Sequence, residues 1–535
     1  MIEITFLHVV AAIVAVPLVI ILLDLRRVLR MPPGPFPLPF IGNKLIIPQS
    51  KPWITFQEWS YKYGPIFTIW IGRRPTVIIS DPVIAAELME KRSTKYSSRP
   101  RFVTMGELYN KMSTILVQPY GKEWTIRRKL LHQALNPSAL RLYKPIQTAE
   151  ASRLCHQLIE SPADYEMLVD RFTSGIVFAV AYGHRIDSFD AKVIRRRLEF
   201  MQYMSSLNVP GAYLVESLPF LKYIPNVLAP WKKTIEEKGY EEARDSLALF
   251  NSVRTEMQAA AAKGEEVADS LAKLLITMNE KEPIPLSQRD IASVPSSLFG
   301  AGSDTTASTI CSSILAMVTH PEALRAAQAE LDAVIGPDRS PTFDDELKLP
   351  FLKAFMKETL RWRPVAVLGG TPHSSSEDDV YNGYLIPKNT TILGNSWAIN
   401  LNEKYYPNPH HFNPKRFLDD AVVPKYASEK DDMEKGVAHP NRDGHSSFGW
   451  GRRVCPGAGI AWNNLYIALA KLIWGFDIMP IPGVKYDTFD YTEGFNSRPN
   501  HFECIIRPRS EHHKEVLERE YEAALETVMK LPPFE

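Results

Sequence analysis

Cys455 sits in HSSFGWGRRVCPG, residues 445–457, a stretch that concentrates what a metal-binding thiolate needs. A thiolate stays deprotonated when positive charge and hydrogen-bond donors surround it and a metal takes up the rest of its charge. Gly449, Gly451 and Gly457 allow tight turns that aim backbone N–H groups at a sulfur, and Arg453 can reach an anionic group of a bound cofactor. Pro456 and Gly457 open the apolar run GIAWNNLYIALAKLIWGF, which predicts a helix whose positive end lies beside the sulfur. A lone cysteine in a glycine-rich turn is more often a buried structural thiol. Against that, Phe448, Gly451, Arg453, Cys455 and Gly457 together form the pattern F-x-x-G-x-R-x-C-x-G.

A second reactive set is GAGSDTT, residues 300–306, inside an apolar-rich pattern over 288–319 that predicts one long helix. Glycine and threonine are poor interior helix formers, and the Thr305 hydroxyl can donate to a carbonyl one turn back, which predicts a loosened ladder and a groove. In such a groove an acid beside an alcohol, Asp304 and Thr305, can feed protons to a reacting group. The bland alternative is a Ser/Thr-rich buried helix with a satisfied acid. Pro295 predicts a kink upstream. Three further features are ordinary alone: Trp124 and Arg128 one helical turn apart, Glu358 and Arg361 three apart in KETLRWRP, and His373 in the strand-like stretch 369–390.

Together these motifs resemble the cytochrome P450 family. The cysteine stretch matches its haem-binding signature at every fixed position, AGSDTT matches its oxygen-activation motif, and W-x-x-x-R, E-x-x-R and P-x-R-F occur in family order. The resemblance implies a mainly α fold with a smaller β-rich part, haem b between the long helix and the cysteine-loop helix, and Cys455 as the axial ligand of the iron. It implies Trp124, Arg128, His373 and Arg453 as partners of the haem propionates, with Lys111 a weaker candidate and Phe448 beside the cofactor. Glu358, Arg361 and Arg416 become a structural charge cluster, Asp304 the acid and Thr305 the proton-network alcohol. Residues 208–231 become the substrate lid and 495–499 a substrate-contacting turn.

The remaining sequence sets bounds. With 45% hydrophobic and 23% charged residues the chain is globular in composition, and a net charge of +1 provides no electrostatic reason to expect nucleic acid. Its four cysteines are scattered, which indicates neither a zinc site nor a disulfide framework and fits a reducing compartment. No dinucleotide or P-loop motif is present, so reducing electrons have to come from another protein.

Residues 4–23 carry no formal charge when His8 is neutral and would make about 30 Å of helix, enough for one transmembrane anchor. A cleaved signal peptide fits less well, since a basic start and a small-residue cleavage site are missing. Arg26, Arg27 and Arg30 follow the run, which places the body in the cytosol. The chain thus divides into an anchor (1–30), a proline-rich hinge (31–42), a catalytic domain (43–510) and a charged helical tail (511–535) without an assigned role. A hairpin is predicted over 66–80, followed by a helix capped by Asp81.

The expected protein is a single-pass endoplasmic reticulum monooxygenase. It inserts one oxygen atom of O2 into a lipophilic small molecule, with electrons from NADPH-cytochrome P450 reductase and cytochrome b5 as a second donor. The wording PHxxxEDDVYxGYLIPKxT resembles fungal members that tailor secondary metabolites. Two rivals remain: a reductase-independent haem-thiolate isomerase or dehydratase, and a non-enzymatic haem carrier or sensor.

Overall fold

The apolar pattern after Ser287 folds as one helix, Gln288–Thr319, started by the Ser287 hydroxyl accepting the Asp290 N–H. From Thr306 to Val318 every residue is buried, so the helix is packed on all sides. Around this central helix lie Tyr165–Tyr182, Pro230–Lys263 and the cysteine-loop helix Ala458–Gly475. The computed structural model describes residues 2–207, 212–418 and 437–534, without the side chains of residues 2–7, 9 and 10.

The predicted loosening at GAGSDTT is corrected: the helix runs unbroken through Gly300, Gly302 and Pro295. Its glycines serve close packing instead. A Cβ on Gly302 would fall 2.6 Å from Val177 Cγ1, and one on Gly300 would fall 2.1 Å from Arg197 Nη2. Neighbouring elements therefore press on the helix backbone where a larger residue would hold them off.

The β-rich part is a four-stranded sheet and two short ladders. The predicted hairpin forms from β1 (Ile66–Ile71) and β2 (Arg74–Ile79), a tighter turn than expected, because Arg74 and Pro75 already pair within β2. From the 369–390 region come β3 (His373–Ser374), β4 (Asp379–Tyr381) and β5 (Tyr384–Ile386), followed by β6 (Thr391–Gly394). β6 runs parallel to β2 and antiparallel to β3, so it ties His373 to the sheet. Asp81 caps the next helix as predicted, its carboxylate accepting the Val83 and Ile84 N–H groups.

Both chain ends depart from their expectations. A helix forms over Ile2–Val28, but among the described residues no helix is long and apolar enough to cross a membrane, so the predicted transmembrane helix is not shown. Part of the predicted span, residues 4–7, 9 and 10, has side chains outside the described residues. The proline-rich hinge is no free spacer: the Thr68 N–H donates to Pro33 C=O, and a Cβ on Gly34 would lie 2.0 Å from the Thr68 oxygen.

At the other end the charged tail folds as Glu511–Met529 and packs on the helix Pro137–Glu160. Val516 and Leu517 are fully buried, and Lys471 Nζ pairs with Glu520 at 2.8 Å. Three buried aliphatic residues, Val516, Leu517 and Val528, suffice to dock it among many charges. Of the expected lid, residues 208–211 lie outside the described residues. The described remainder forms short turns, one of which is latched by the Glu216 carboxylate accepting the Val103 and Thr104 N–H groups.

Candidate active site

One cavity of about 380 Å³ lies between the central helix and the cysteine loop. Its size falls within the range of small-molecule pockets. Cys455 lines the cavity from the cysteine loop, Ala301, Gly302 and Thr305 from the central helix. The loop that presents the sulfur is shaped by two glycines with positive φ, Gly449 (78°) and Gly451 (56°). A side chain at Gly451 is excluded as well, because its Cβ would lie 2.2 Å from the Met89 oxygen. The Cys455 N–H donates to Phe448 C=O at 2.8 Å and closes the turn.

Gly457 has ordinary negative φ and caps a helix that starts at Ala458, one residue later than expected. Its N–H favours the thiolate, as does Arg128, while burial pushes the thiol up and wins. A neutral thiol is thus the resting form in an apolar pocket, and a metal cation would be needed to hold the thiolate.

On one side of the cavity three guanidiniums gather: Arg99, Arg128 and Arg453. Arg453 donates to Ser97 C=O and Gln118 C=O, both at 2.7 Å, and lies 4.6 Å from the Trp124 ring centroid. The cation–π partner of Trp124 is therefore Arg453, and Arg128 is left facing the cavity. Arg99, which sequence reasoning missed, donates to Thr371 C=O (2.6 Å), Pro372 C=O (2.9 Å) and Leu116 C=O (3.2 Å).

None of the three has a carboxylate partner among the described residues. Burial depresses all three, with repulsion from Arg453 added at Arg99 and from Arg128 at Arg453, taking Arg453 to about 9 and Arg99 well below its usual value. Three half-buried cations facing one cavity without an anion form a costly arrangement, and a dianion would relieve it. A flat apolar cofactor with two carboxylates and a metal that accepts sulfur fits this donor set.

His373 also lines the cavity and is buried, with Nδ1 2.7 Å from the Tyr96 carbonyl oxygen. Burial and the Arg99 charge push it down to about 3, so it is neutral with Nδ1 as donor. Its Nε2 then offers a lone pair, suited to a protonated carboxyl; beside a carboxylate it would have to gain a proton. Lys111 is corrected: it pairs with Glu236 at 2.7 Å and does not line the cavity.

On the central helix the Thr305 hydroxyl donates to Ala301 C=O at 2.8 Å, the bond expected one turn back. Asp304, the adjacent acid, does not itself line the cavity. Its Oδ2 accepts from Asn496 Nδ2 at 2.7 Å, and Asn496, which does line the cavity, connects the two. Asn496 lies in the 495–499 turn expected to meet substrate, but no spacing rule pointed to its bond with Asp304.

Behind the cysteine loop, Glu358 and Arg361 form a bidentate pair at 2.6 and 2.7 Å, both fully buried. Arg416 stands off at 3.5 Å and donates to Asn408 C=O, so the third charge is held more loosely than the expected cluster implies. Arg361 also donates to Asn400 C=O, and Asn400 Oδ1 accepts from the Ser446 N–H and hydroxyl at the start of the cysteine loop. The pair therefore supports the loop through Asn400, a link invisible in the sequence. Glu358→Gln is expected to lose about 3–5 kcal/mol of stability by leaving Arg361 buried without a counter-charge. A lowered unfolding midpoint together with a lowered haem-to-protein ratio checks this.

A profile of the cytochrome P450 family matches residues 32–506. A cytochrome P450 monooxygenase of the fungus Postia placenta is 36% identical over 90% of this chain and 89% of its own. Monooxygenases of Aspergillus aculeatus (32% identical, 95% of this chain, 94% of its own) and of a Cladobotryum species (34%, 92% and 90%) are similarly related.

Proposed function

From the premise that this chain belongs to the cytochrome P450 family and is a monooxygenase with a haem-thiolate centre, we propose that it oxidises a lipophilic small molecule in the cavity between Cys455 and Thr305. The observation that carries this reading is that Thr305 and Cys455 line one cavity, with Asp304 reached through Asn496. Haem b, when bound, would supply dioxygen activation and transfer of an oxygen atom. Cys455 would ligate its iron, and Arg99, Arg128 and Arg453, with His373 beside them, would hold its carboxylates. Phe448 would pack beside it.

The chain's own contribution to chemistry is proton supply and exclusion of water. Thr305 would hold a proton at its hydroxyl on the cavity side, and Asp304, positioned by the Asn496 amide, would replenish it through intervening water. A hydroperoxide isomerase needs neither group, and neither does a haem carrier, which disfavours both rivals. Turnover of substrate that depends on both NADPH and its cytochrome P450 reductase tests the reading, with cytochrome b5 added as a second donor. Product formed at equal rate without reductase would move the isomerase to the front.

The proposal includes a membrane-anchored enzyme of the endoplasmic reticulum that tailors fungal secondary metabolites. The fungal relatives support the last point, and the exposed apolar residues of the first helix, among them Ile13, Leu18 and Leu22, support the first. More apolar surface lies exposed at Phe36, Leu45, Phe220 and Val227. Deleting residues 1–30 is expected to shift most of the protein from the membrane to the soluble fraction with haem retained. If the truncated form stays membrane-bound, the second apolar surface dominates attachment.

A further inference from the structure

We infer that the end of the cavity remote from Cys455 is a carboxylate site, and that the substrate is a long lipophile oxidised far from its acid group. The inference rests on the monooxygenase reading above and deepens it by naming the substrate class. The turn beginning at Asn110 packs on the first turns of the central helix. Arg289 Nη2 donates to Asn110 C=O at 3.4 Å, and the Ser293 hydroxyl donates to Ser113 C=O at 3.1 Å. Asn110, Thr114, Arg289 and Ser293 all line the cavity.

This corner holds unspent hydrogen-bonding capacity. Asn110 is only 4% exposed, yet neither its Oδ1 nor its Nδ2 has a partner; Thr114 Oγ1 and Arg289 Nε are also buried and unpartnered. Buried polar groups in folded proteins are nearly always satisfied, so four such atoms on three residues that line this cavity point to a polar ligand group.

Charge decides which group. The acids near Arg289 are already engaged: Asp290 pairs with Arg127 at 2.8 Å and Glu242 with Arg197 at 2.7 Å. Arg289 has no carboxylate partner among the described residues. One guanidinium and one amide donor match a monoanionic carboxylate, with the guanidinium fork supplying the charge-assisted bonds. Arg197 does not compete, since Glu242 neutralises it.

The central helix serves as a ruler. Thr305 lies on the order of 18 Å along the axis from Ser293 and 24 Å from Arg289, at 1.5 Å per residue. The wall between them carries Leu298, with Met201 and Met204 from a neighbouring helix. An extended apolar chain with a terminal acid would span from the reacting position to this corner.

The test compares hexadecanoic acid with its methyl ester, on the haem-loaded full chain, by equilibrium dialysis and by the ligand-induced shift of the haem absorption. The wild type is expected to bind the acid about 10- to 100-fold more tightly than the ester. Arg289→Gln should cut this preference to within about threefold without changing ester affinity, and Asn110→Leu should weaken the acid selectively. Each variant is used only if it keeps the ferrous CO band of the wild type. Equal affinity for acid and ester in the wild type, a preference that survives Arg289→Gln, or failure of both probes to bind would overturn the inference. Those outcomes leave the monooxygenase reading intact; a wild type without a thiolate-type CO band would sink that reading independently.

Discussion

Cys455→Ala is expected to yield protein with little or no bound haem and no thiolate-type CO absorption. The sulfur is the only thiol on the cavity wall: Cys155 and Cys311 are buried elsewhere, and Cys504 lies outside the cavity lining. Among the described residues no cluster of three or more metal-ligating side chains offers a substitute. The cluster of Arg99, Arg128 and Arg453 would still attract a dianionic cofactor, so residual weak binding should be displaced easily and lack the thiolate spectrum. Haem-to-protein ratio and the reduced CO difference spectrum measure this. Because burial favours the neutral thiol, loading of the wild type should release a proton and be favoured by rising pH, a dependence that the alanine variant should lose. A native CO band like that of histidine-ligated haem would contradict Cys455 as ligand.

Thr305→Ala should leave haem content, spectrum and substrate affinity nearly unchanged, because the side chain bonds only to Ala301 C=O within its own helix. What it should lose is coupling of NADPH oxidation to product. With the alcohol gone, protons would arrive unguided, and reducing equivalents would leave as hydrogen peroxide. The scale is that of general acid–base catalysis, roughly 10² to 10³ in product per NADPH. Asp304→Asn is expected to slow NADPH consumption as well, since it removes the proton source rather than the relay. The Asn496 bond adds an internal control: Asn496→Ala should resemble Asp304→Asn more than Thr305→Ala if that amide positions the acid. Product, NADPH and peroxide measured together check all three. Wild-type coupling in Thr305→Ala would mean that a hydroxyl of the substrate supplies the relay, or that the reaction bypasses dioxygen activation.

Features that depend on a few neighbouring residues were legible in the sequence. Cys455 with its glycine turns, the bounds of the central helix, the Thr305 bond one turn back, the Asp81 cap and the Glu358–Arg361 spacing all follow from local geometry. Each is a matter of residue type at a set offset within one loop or helix, and backbone periodicity decides such matters before any packing occurs. The glycines of GAGSDTT were read only half correctly for the same reason. Propensity predicts a weakened helix, whereas tertiary contact with Val177 and Arg197 explains why those positions lack side chains.

What the sequence by itself determined, then, is the thiolate loop, the proton-bearing pair on a long buried helix and the charged pair behind them. Only the tertiary structure decided which remote groups meet them. Arg99 joins Arg128 and Arg453, Asn496 reaches Asp304, Asn400 links Arg361 to the cysteine loop, Asn110 and Arg289 share a corner, and Lys111 turns away to Glu236. The charged tail docks for a similar reason, through three buried aliphatic residues that no strong apolar stripe announced. These contacts join segments tens to hundreds of residues apart, and their partners are selected by which surfaces exclude water against one another. That selection is a property of the packed chain, and no spacing along the sequence encodes it.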